Sequence, residues 1–534
     1  MRRVELALYK GPFRTYDSRM PEPSASRRAS RARAIAVLTS PERDGRPLYV
    51  QLHQQLREHI LRGDLAPGSR LPSARTLASD LQVSRNTVEA AIGQLCAEGM
   101  VERRVGVGTI VANLGAVAPF ARRMRLAAAG SPPPQKGGPA RRRELSPRGE
   151  RLAAGGQAEL DADARTGPCM TDVEIFPART WHQLLARVAR EQDNGLLRTG
   201  DVQGDPSLRR AISEHARLTR GVRCTADEVV IVHSTQQALD LTSRLLLADG
   251  ESVLMEEPGY RSARAVFTAS GARVVGIPVD DDGLQAERLR LHRDARLLYL
   301  TPSHQYPLGV TLALRRRLET LAWARDAGAW IVEDDYDSEF RYTGRPIAAM
   351  QGLDDAERVL YLGTFNKVLF PGIRLAYLIL PRALVSGFRA ARRLTDGAPS
   401  PLVQAALARF LSEGHFAAHL RKARKLYEGR RNLLVERLEQ RLGARGRVGM
   451  SQTGLHLVVL LPPELDDQSL ADAGSGFGLG VEPLSSFYAG GREASSQPRG
   501  LLLGFGGASE AAIRRGVDAI ARAMPAVTTD RRRA

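Results

Sequence analysis

The stretch LGTFNKVLFPGIRLAYL, residues 362–378, decides how this chain is read. It sets Lys367 directly after a strand and a loop, with Arg374 seven residues further on. A lysine ε-amine can hold an aldehyde as a Schiff base, and a guanidinium can bind a phosphate through two parallel hydrogen bonds. Alone, the spacing is common and describes a solvated Lys/Arg pair equally well. Its surroundings favour chemistry. In IVEDDYDSEF (331–340) an apolar strand delivers Asp334 at its C-terminal edge, where open α/β sheets place their sites, and Tyr336 follows. A carboxylate beside a pyridine nitrogen keeps that nitrogen protonated, and a nearby tyrosine hydroxyl can donate to a ring oxygen.

Working outward, EVVIV (228–232) is followed by HSTQQALDL (233–241), the start of a helix whose free N–H groups suit a phosphate. Ser234, Thr235 and Gln236 sit at that end, and Thr364 offers a further hydroxyl. Tyr260, in EEPGY after the next strand, is placed to stack on a ring, although an aromatic there is often plain packing. Strand-like runs begin near 228, 252, 273, 295, 329, 359 and 375, with helical stretches between them. That rhythm predicts an α/β fold, a mainly parallel sheet with helices on both faces. After about residue 390, HFAAHLRKARKLYEGRRNLLVERLEQRL, GLHLVVLLP, GLLLGF and ASEAAIRRGVDAIARAM predict a smaller α+β lobe ending near 525, and 526–534 form a tail.

Upstream, residues 47–113 form a second unit. Leu52, Leu56 and Ile60 share one helical face, Gly63 and Pro67-Gly68 stop that helix, and a second helix spans about Ser73–Leu81. After a turn at Gln82-Val83, Ser84 caps a third helix to about Glu98. A short helix, a tight turn and a capped helix opening Ser84, Arg85, Asn86, Thr87 suit a recognition helix in the major groove. Arg85 can bond guanine O6 and N7 together. VERRVGVGTIV (101–111) predicts a two-stranded wing with Gly106 and Gly108 at its tip. A three-helix element with a hairpin could also bind protein.

The 534 residues exceed one ordinary core, and the net charge of +18 favours polyanion partners, though an Arg-rich proteome would give the same excess. No apolar run approaches the roughly 20 residues that cross a bilayer, so no membrane association is expected. Cys96, Cys169 and Cys224 lie far apart without metal-ligand spacing, which predicts no metal site and fits a reducing cytoplasm. Residues 1–46, rich in Arg, Ser and Pro, predict a flexible basic leader without an export signal, and 114–168, including SPPPQKGGPARRR, a flexible basic linker.

The head pattern LRxGxLxPGxxLPSxRxLAxxLxVSRxTVxxAxxxLxxEGxVxxxxGxGTxV resembles the GntR-type winged-helix regulators. That resemblance implies DNA contacts by Arg75, Ser84, Arg85, Asn86, Thr87 and Gly106; Glu89 stands where some members carry Arg. Residues from about 170 to 525 resemble fold-type-I pyridoxal-phosphate enzymes, the aminotransferase class. The joined order, with TPSHQYPLG, EDDYDSEFRY and GTFNKVLFPGIRL, resembles the MocR subfamily, in which the body senses a ligand. By that resemblance Lys367 forms the Schiff base, Asp334 pairs with the pyridine nitrogen, Tyr336 bonds the phenolic oxygen and Arg374 holds the phosphate of pyridoxal 5'-phosphate. It further implies a homodimer with exchanged heads, promoter DNA as partner and an effector that is the cofactor itself, an amino acid or another amine.

Three positions depart from the pattern. Ser234 replaces a frequent Gly, Asn366 the usual Ser, and Leu502 the Arg that holds a substrate carboxylate in aminotransferases, with Arg499 three residues away. A missing clamp favours sensing over turnover. A genuine aminotransferase with an accessory head, and a body that has lost its cofactor, are the alternatives.

Overall fold

A computed structural model describes residues 38–40, 45–113, 145–160, 167–191, 196, 198–344, 347–449, 452–489 and 497–524. It divides into two compact units, one ending at Arg142 and one beginning at Arg143. The leader expected over 1–46 falls almost wholly outside the described residues, as do 114–144 and 161–166 of the linker expected over 114–168, and the tail.

In the first unit, helices Leu48–Arg62, Ala74–Asp80 and Arg85–Ala97 precede strands β1 (Val101–Arg104) and β2 (Gly108–Val111). Leu52, Leu56, Leu77, Val88, Ile92 and Leu95 bury against one another, the 3.6-residue stripe of each helix supplying one face of the core. Ser73 and Ser84 cap the second and third helices by accepting from the Thr76 and Thr87 N–H groups. Between them Gln82 takes a left-handed backbone at φ 51°, which tightens the turn. β1 and β2 pair antiparallel from Val101↔Val111 to Arg104↔Gly108.

The second unit is built on β3 (Val229–Val232), β4 (Ser252–Glu257), β5 (Arg273–Asp280), β6 (Gly283–Leu284), β7 (Leu297–Leu300), β8 (Trp330–Asp335), β9 (Val359–Thr364) and β10 (Ala376–Ile379). They form one sheet in the order β3-β10-β9-β8-β7-β4-β5-β6. The central pairs are parallel; β10 runs antiparallel to both neighbours and the two-residue β6 antiparallel to β5. Buried on both faces, β3, β7, β9 and β10 are continuous apolar runs rather than alternating ones. A smaller antiparallel sheet, β11 (Arg447–Val448), β12 (His456–Leu461), β13 (Gly480–Pro483) and β14 (Arg499–Gly504), follows the 28-residue helix His415–Leu442 in the order β11-β12-β14-β13. The mainly parallel sheet and the α+β lobe are as expected; β6 and β11, of two residues each, are too short to have shown a period.

One stretch corrects the sequence reading. Residues 147–160, placed in the flexible linker, form a helix that packs on Arg261–Ser270. Ser146 accepts from the Gly149 N–H and Pro147 opens the first turn, an ordinary helix start. Gly155 lets the two backbones approach, since a Cβ there would lie 3.1 Å from the Ala265 Cβ. Composition hid the helix because its interior carries Gly155-Gly156, and its stability comes from tertiary packing rather than propensity.

Candidate functional site

Side chains from the C-terminal ends of the parallel strands and the loops after them meet in a cavity of about 210 Å3. Ser234, Thr235, Gln236, Tyr260, Asp334, Tyr336, Thr364, Lys367 and Arg374, the residues expected to hold a cofactor, all line it. Cys169, Tyr299, Thr301, Tyr306 and Asn366 complete the wall and were not foreseen as lining residues.

β9 ends at Thr364 and hands the chain to a loop anchored by buried Phe365, Val368 and Leu369, so half-buried Lys367 rises from a rigid base. Behind it, buried His419 meets the Val368 carbonyl at 3.1 Å through Nε2; burial holds this imidazole below its ordinary pKa, so it is neutral. Asn366 Oδ1 accepts from the Leu375 N–H at 3.2 Å and closes the loop that carries both Lys367 and Arg374. That bond gives the Ser-to-Asn departure a positional role. Arg374 adopts a left-handed φ of 51°.

Two ends of the cavity differ in chemistry. At one, the helix Thr235–Leu246 opens toward Arg374 and Thr364 as fellow lining residues. Its first N–H groups have no preceding carbonyl to bond, which makes this an anion-binding end. Ser234 caps the helix by accepting from the Gln237 N–H at 3.2 Å, and its φ of −165° is extended backbone that any residue adopts. Serine at this position therefore costs no strain and adds a hydroxyl.

At the other end Asp334 is buried at the C-terminal edge of β8. Tyr299, on the neighbouring strand β7, donates to Asp334 Oδ2 at 2.7 Å, while Oδ1 is buried without a hydrogen-bond partner among the described residues. Burial pushes the carboxyl up to about 7 against the Tyr299 hydrogen bond, with Asp335 and Asp337 adding repulsion and Lys367 opposing it. Glu256, which accepts from the Thr301 hydroxyl at 2.8 Å and N–H at 2.9 Å, is likewise pushed by burial to about 7. Asp335, adjacent in sequence, faces the opposite way. Burial raises it, but the buried Arg220 guanidinium at 2.7 Å outweighs that and keeps it ionised. Each has one buried oxygen without a hydrogen-bond partner, so alternation along β8 separates a carboxylate paired with Arg220 from one with no ion-pair partner among the described residues.

Tyr336 sits at 3.0 Å from the His304 carbonyl and 3.1 Å from its Nδ1. His304 also meets Asp337, and His456 bonds the Pro307 carbonyl at 3.1 Å and Cys169 Sγ at 3.4 Å. His304, Asp337 and His456 could be taken for metal ligands, but the His304–Asp337 pair is engaged in orienting Tyr336, and His456, in ring contact with His304, is held by Pro307 and Cys169. As placed, the Tyr336 hydroxyl donates to this network and offers the cavity a lone pair, whereas the sequence reading expected a donor.

In the head, Arg75, Ser84, Arg85, Asn86 and Gly106 are exposed and Thr87 is half-buried, its Oγ1 2.8 Å from the Ser84 hydroxyl. Neither Arg75 nor Arg85 forms an ion pair among the described residues. Gly106 stands at the wing tip at φ 74° with open space around it, while Gly108 is favoured by its φ of 109° and lies against the mobile end of the Arg70 side chain. Glu89, the departure on the recognition helix, is engaged by Arg103 of the wing at 2.7 Å.

Arg499 does not stand in for a clamp at Leu502. Three residues apart on β14, the two side chains take opposite faces, and Arg499 is bonded to buried Asp467 at 3.3 Å.

Comparison with known proteins matches residues 48–111 to the bacterial regulatory proteins of the gntR family and residues 171–493 to aminotransferase class I and II. The chain is 39% identical to the probable rhizopine catabolism regulatory protein MocR of Rhizobium meliloti, across 90% of this chain and 94% of that one. It is 30% identical to the pyridoxine biosynthesis transcriptional regulator PdxR of Corynebacterium glutamicum, across 87% and 93%. Among solved structures, the α-aminoadipate aminotransferase LysN of Thermus thermophilus, complexed with N-(5'-phosphopyridoxyl)-L-leucine, superposes with a TM-score of 0.64 at 25% identity, covering 71% of this chain and 96% of that one.

Proposed function

We propose that this chain, which belongs to the MocR-type GntR regulators, is a transcription regulator whose promoter affinity is set by pyridoxal 5'-phosphate, or its adduct with an amine, in the body. The observation that carries the reading is the buried, partnerless Asp334 Oδ1 sharing one cavity with Lys367 and an anion-binding helix end. This donor set fits the cofactor at three points. Asp334 would take the protonated ring nitrogen, Lys367 the aldehyde carbon, and Arg374, Thr364, Ser234 and the Thr235 and Gln236 N–H groups the phosphate. Tyr260 would cover a ring face and Tyr336 would meet the ring hydroxyl. Bound there, the cofactor supplies an electrophilic carbon that accepts primary amines.

The protein acts in the cytoplasm as a homodimer on double-stranded promoter DNA, with Arg75, Arg85, Asn86 and the wing tip at Gly106 making the contacts. The controlled genes serve vitamin B6 or amino-acid metabolism or transport. Linkage requires that a ligand altering DNA affinity have its own affinity altered by DNA in the same ratio. Titration of the purified chain onto the DNA beside its gene, with and without pyridoxal phosphate, tests the coupling. A change in affinity of fivefold or more, absent in Lys367→Ala, is expected; equal curves would refute the sensor reading. Steady transamination at about 1 per second or more would instead support an enzyme.

A further inference from the structure

We propose that the amine recognised in this cavity carries no carboxylate beside its nitrogen. The inference rests on the reading of Lys367 and Arg374 as the cofactor's aldehyde and phosphate ligands. Those two are the cations among the described lining residues, and the cofactor engages both. The wall that remains for a ligand's substituent is neutral: Cys169, Tyr306, Tyr336 and Asn366.

Tyr306 is the hub of that wall. Its ring meets Tyr260, Tyr336, His456 and Phe487 edge-on at 5.3 to 5.9 Å. It packs on an apolar cluster of Val458, Leu484, Phe487 and Leu502, so Leu502 lies one side chain behind the cavity surface. The neighbouring guanidiniums are committed. Arg261 pairs with Glu482 at 2.6 Å, bonds Ser486 at 3.1 Å and lies over the Phe487 ring at 4.7 Å; Arg499 pairs with Asp467. Glu482 is the cross-strand partner of Leu502, and at Tyr306 its negative field is opposed by that of Arg261, its ion-pair partner. A carboxylate brought here would lose water and find no uncommitted cation among the described residues, since Arg261 is already neutralised by Glu482. An amine with an uncharged neighbouring carbon meets none of these penalties, and the aldehyde selects amines as a class.

The test loads the full chain with pyridoxal phosphate and measures by calorimetry the affinities of three matched pairs, each with a single primary amine: tyramine and tyrosine, ethanolamine and serine, isobutylamine and valine. Each affinity is divided by that of the same compound for free pyridoxal phosphate, which removes intrinsic amine reactivity. The carboxylate-free member should bind at least tenfold more tightly in every pair. Equal or reversed ranking, or no binding of any amine, would overturn the inference. Leu502→Arg should then raise amino-acid affinity at least tenfold while leaving the simple amines within threefold; a folded variant with unchanged ranking counts against the proposal. If that variant does not fold, Glu482→Gln releases Arg261 and should narrow the preference at least threefold, with an unchanged preference again contradicting it. A wild-type chain that shows no visible cofactor absorbance fails at the earlier step and takes this inference with it, whereas a cofactor band with carboxylate-blind binding overturns this inference alone.

Discussion

The head and the body place their working residues in opposite environments. In the head, Arg75, Arg85 and Asn86 stand exposed on a small core of Leu52, Leu56, Val88 and Leu95 that would be the same without them. In the body, Asp334, Thr364 and Tyr299 are buried within the sheet that gives the unit its stability. Recognition of a polyanion asks for charge in water, ready to replace counterions. Holding a cofactor asks for polar groups already stripped of water, and each such group stands as a cost in the empty site. Function and stability should therefore separate cleanly in the head and oppose each other in the body.

Asp334→Asn tests the opposition with the largest expected effect. Removing the charge that meets a protonated ring nitrogen should weaken pyridoxal phosphate by about 3 kcal/mol or more, read as loss of the visible band at a given cofactor concentration. The same change should raise the thermal midpoint of the cofactor-free protein at pH 8, because a neutral amide replaces a buried carboxylate. Weaker binding without the gain in stability would show that Asp334 is solvated when the site is empty. The pH profile of the cofactor-free chain reports on the same groups. Asp334 and Glu256 keep their protons to about pH 7 in the folded state, while unfolded carboxyls lose theirs near 4. Between those values the folded state binds more protons, so its stability falls as pH rises, by on the order of 3 kcal/mol per group. Denaturant titrations from pH 4 to 8 should show the decline, and Asp334→Asn and Glu256→Gln should each flatten it.

The same contrast explains what was legible in the sequence. The proposed recognition groups of the third helix come as a contiguous run, exposed Ser84, Arg85 and Asn86 and half-buried Thr87, with the cap and turn that position them, so one short segment spells out much of the head. The cavity draws on segments more than 200 residues apart, from Cys169 to Arg374. Its strand-end members were legible because an apolar run ending in Asp334 or Thr364 marks a sheet edge. Tyr299 was not, since a tyrosine inside ARLLYLTP looks like core, and only the pairing of β7 with β8 turns its hydroxyl to Asp334. Tyr306 and Cys169 reach the wall from loops with no period at all. The helix Pro147–Leu160 was hidden by its composition, though Ser146-Pro147 was a start signal open to notice.

In the head, Arg85→Ala should leave the unfolding midpoint within error and cost about 1 to 3 kcal/mol on the specific site, with relaxed choice at one base pair. An equal loss on random duplex would assign Arg85 to a phosphate instead. Arg75→Ala provides the control for a phosphate contact, weakening both duplexes alike.

The smallest effect is the most diagnostic for the wing. Glu89 on the recognition helix and Arg103 on β1 form an ion pair at 2.7 Å, with side chains 37% and 53% exposed. Such a pair contributes less than about 1 kcal/mol to the fold, so Glu89→Gln should barely move the melting curve. Its influence on DNA has the opposite sign to every other substitution considered. The carboxylate lies on the helix proposed to enter the groove and detains a guanidinium that could neutralise phosphate. Removing its charge should strengthen binding to random duplex by up to about 1 kcal/mol and steepen the dependence of log K on log salt by about one. An unchanged slope would mean that Arg103 already reaches a phosphate with Glu89 in place. Glu89 would then act as a reader of the groove, accepting from a cytosine amino group, and Glu89→Gln should weaken the specific site alone.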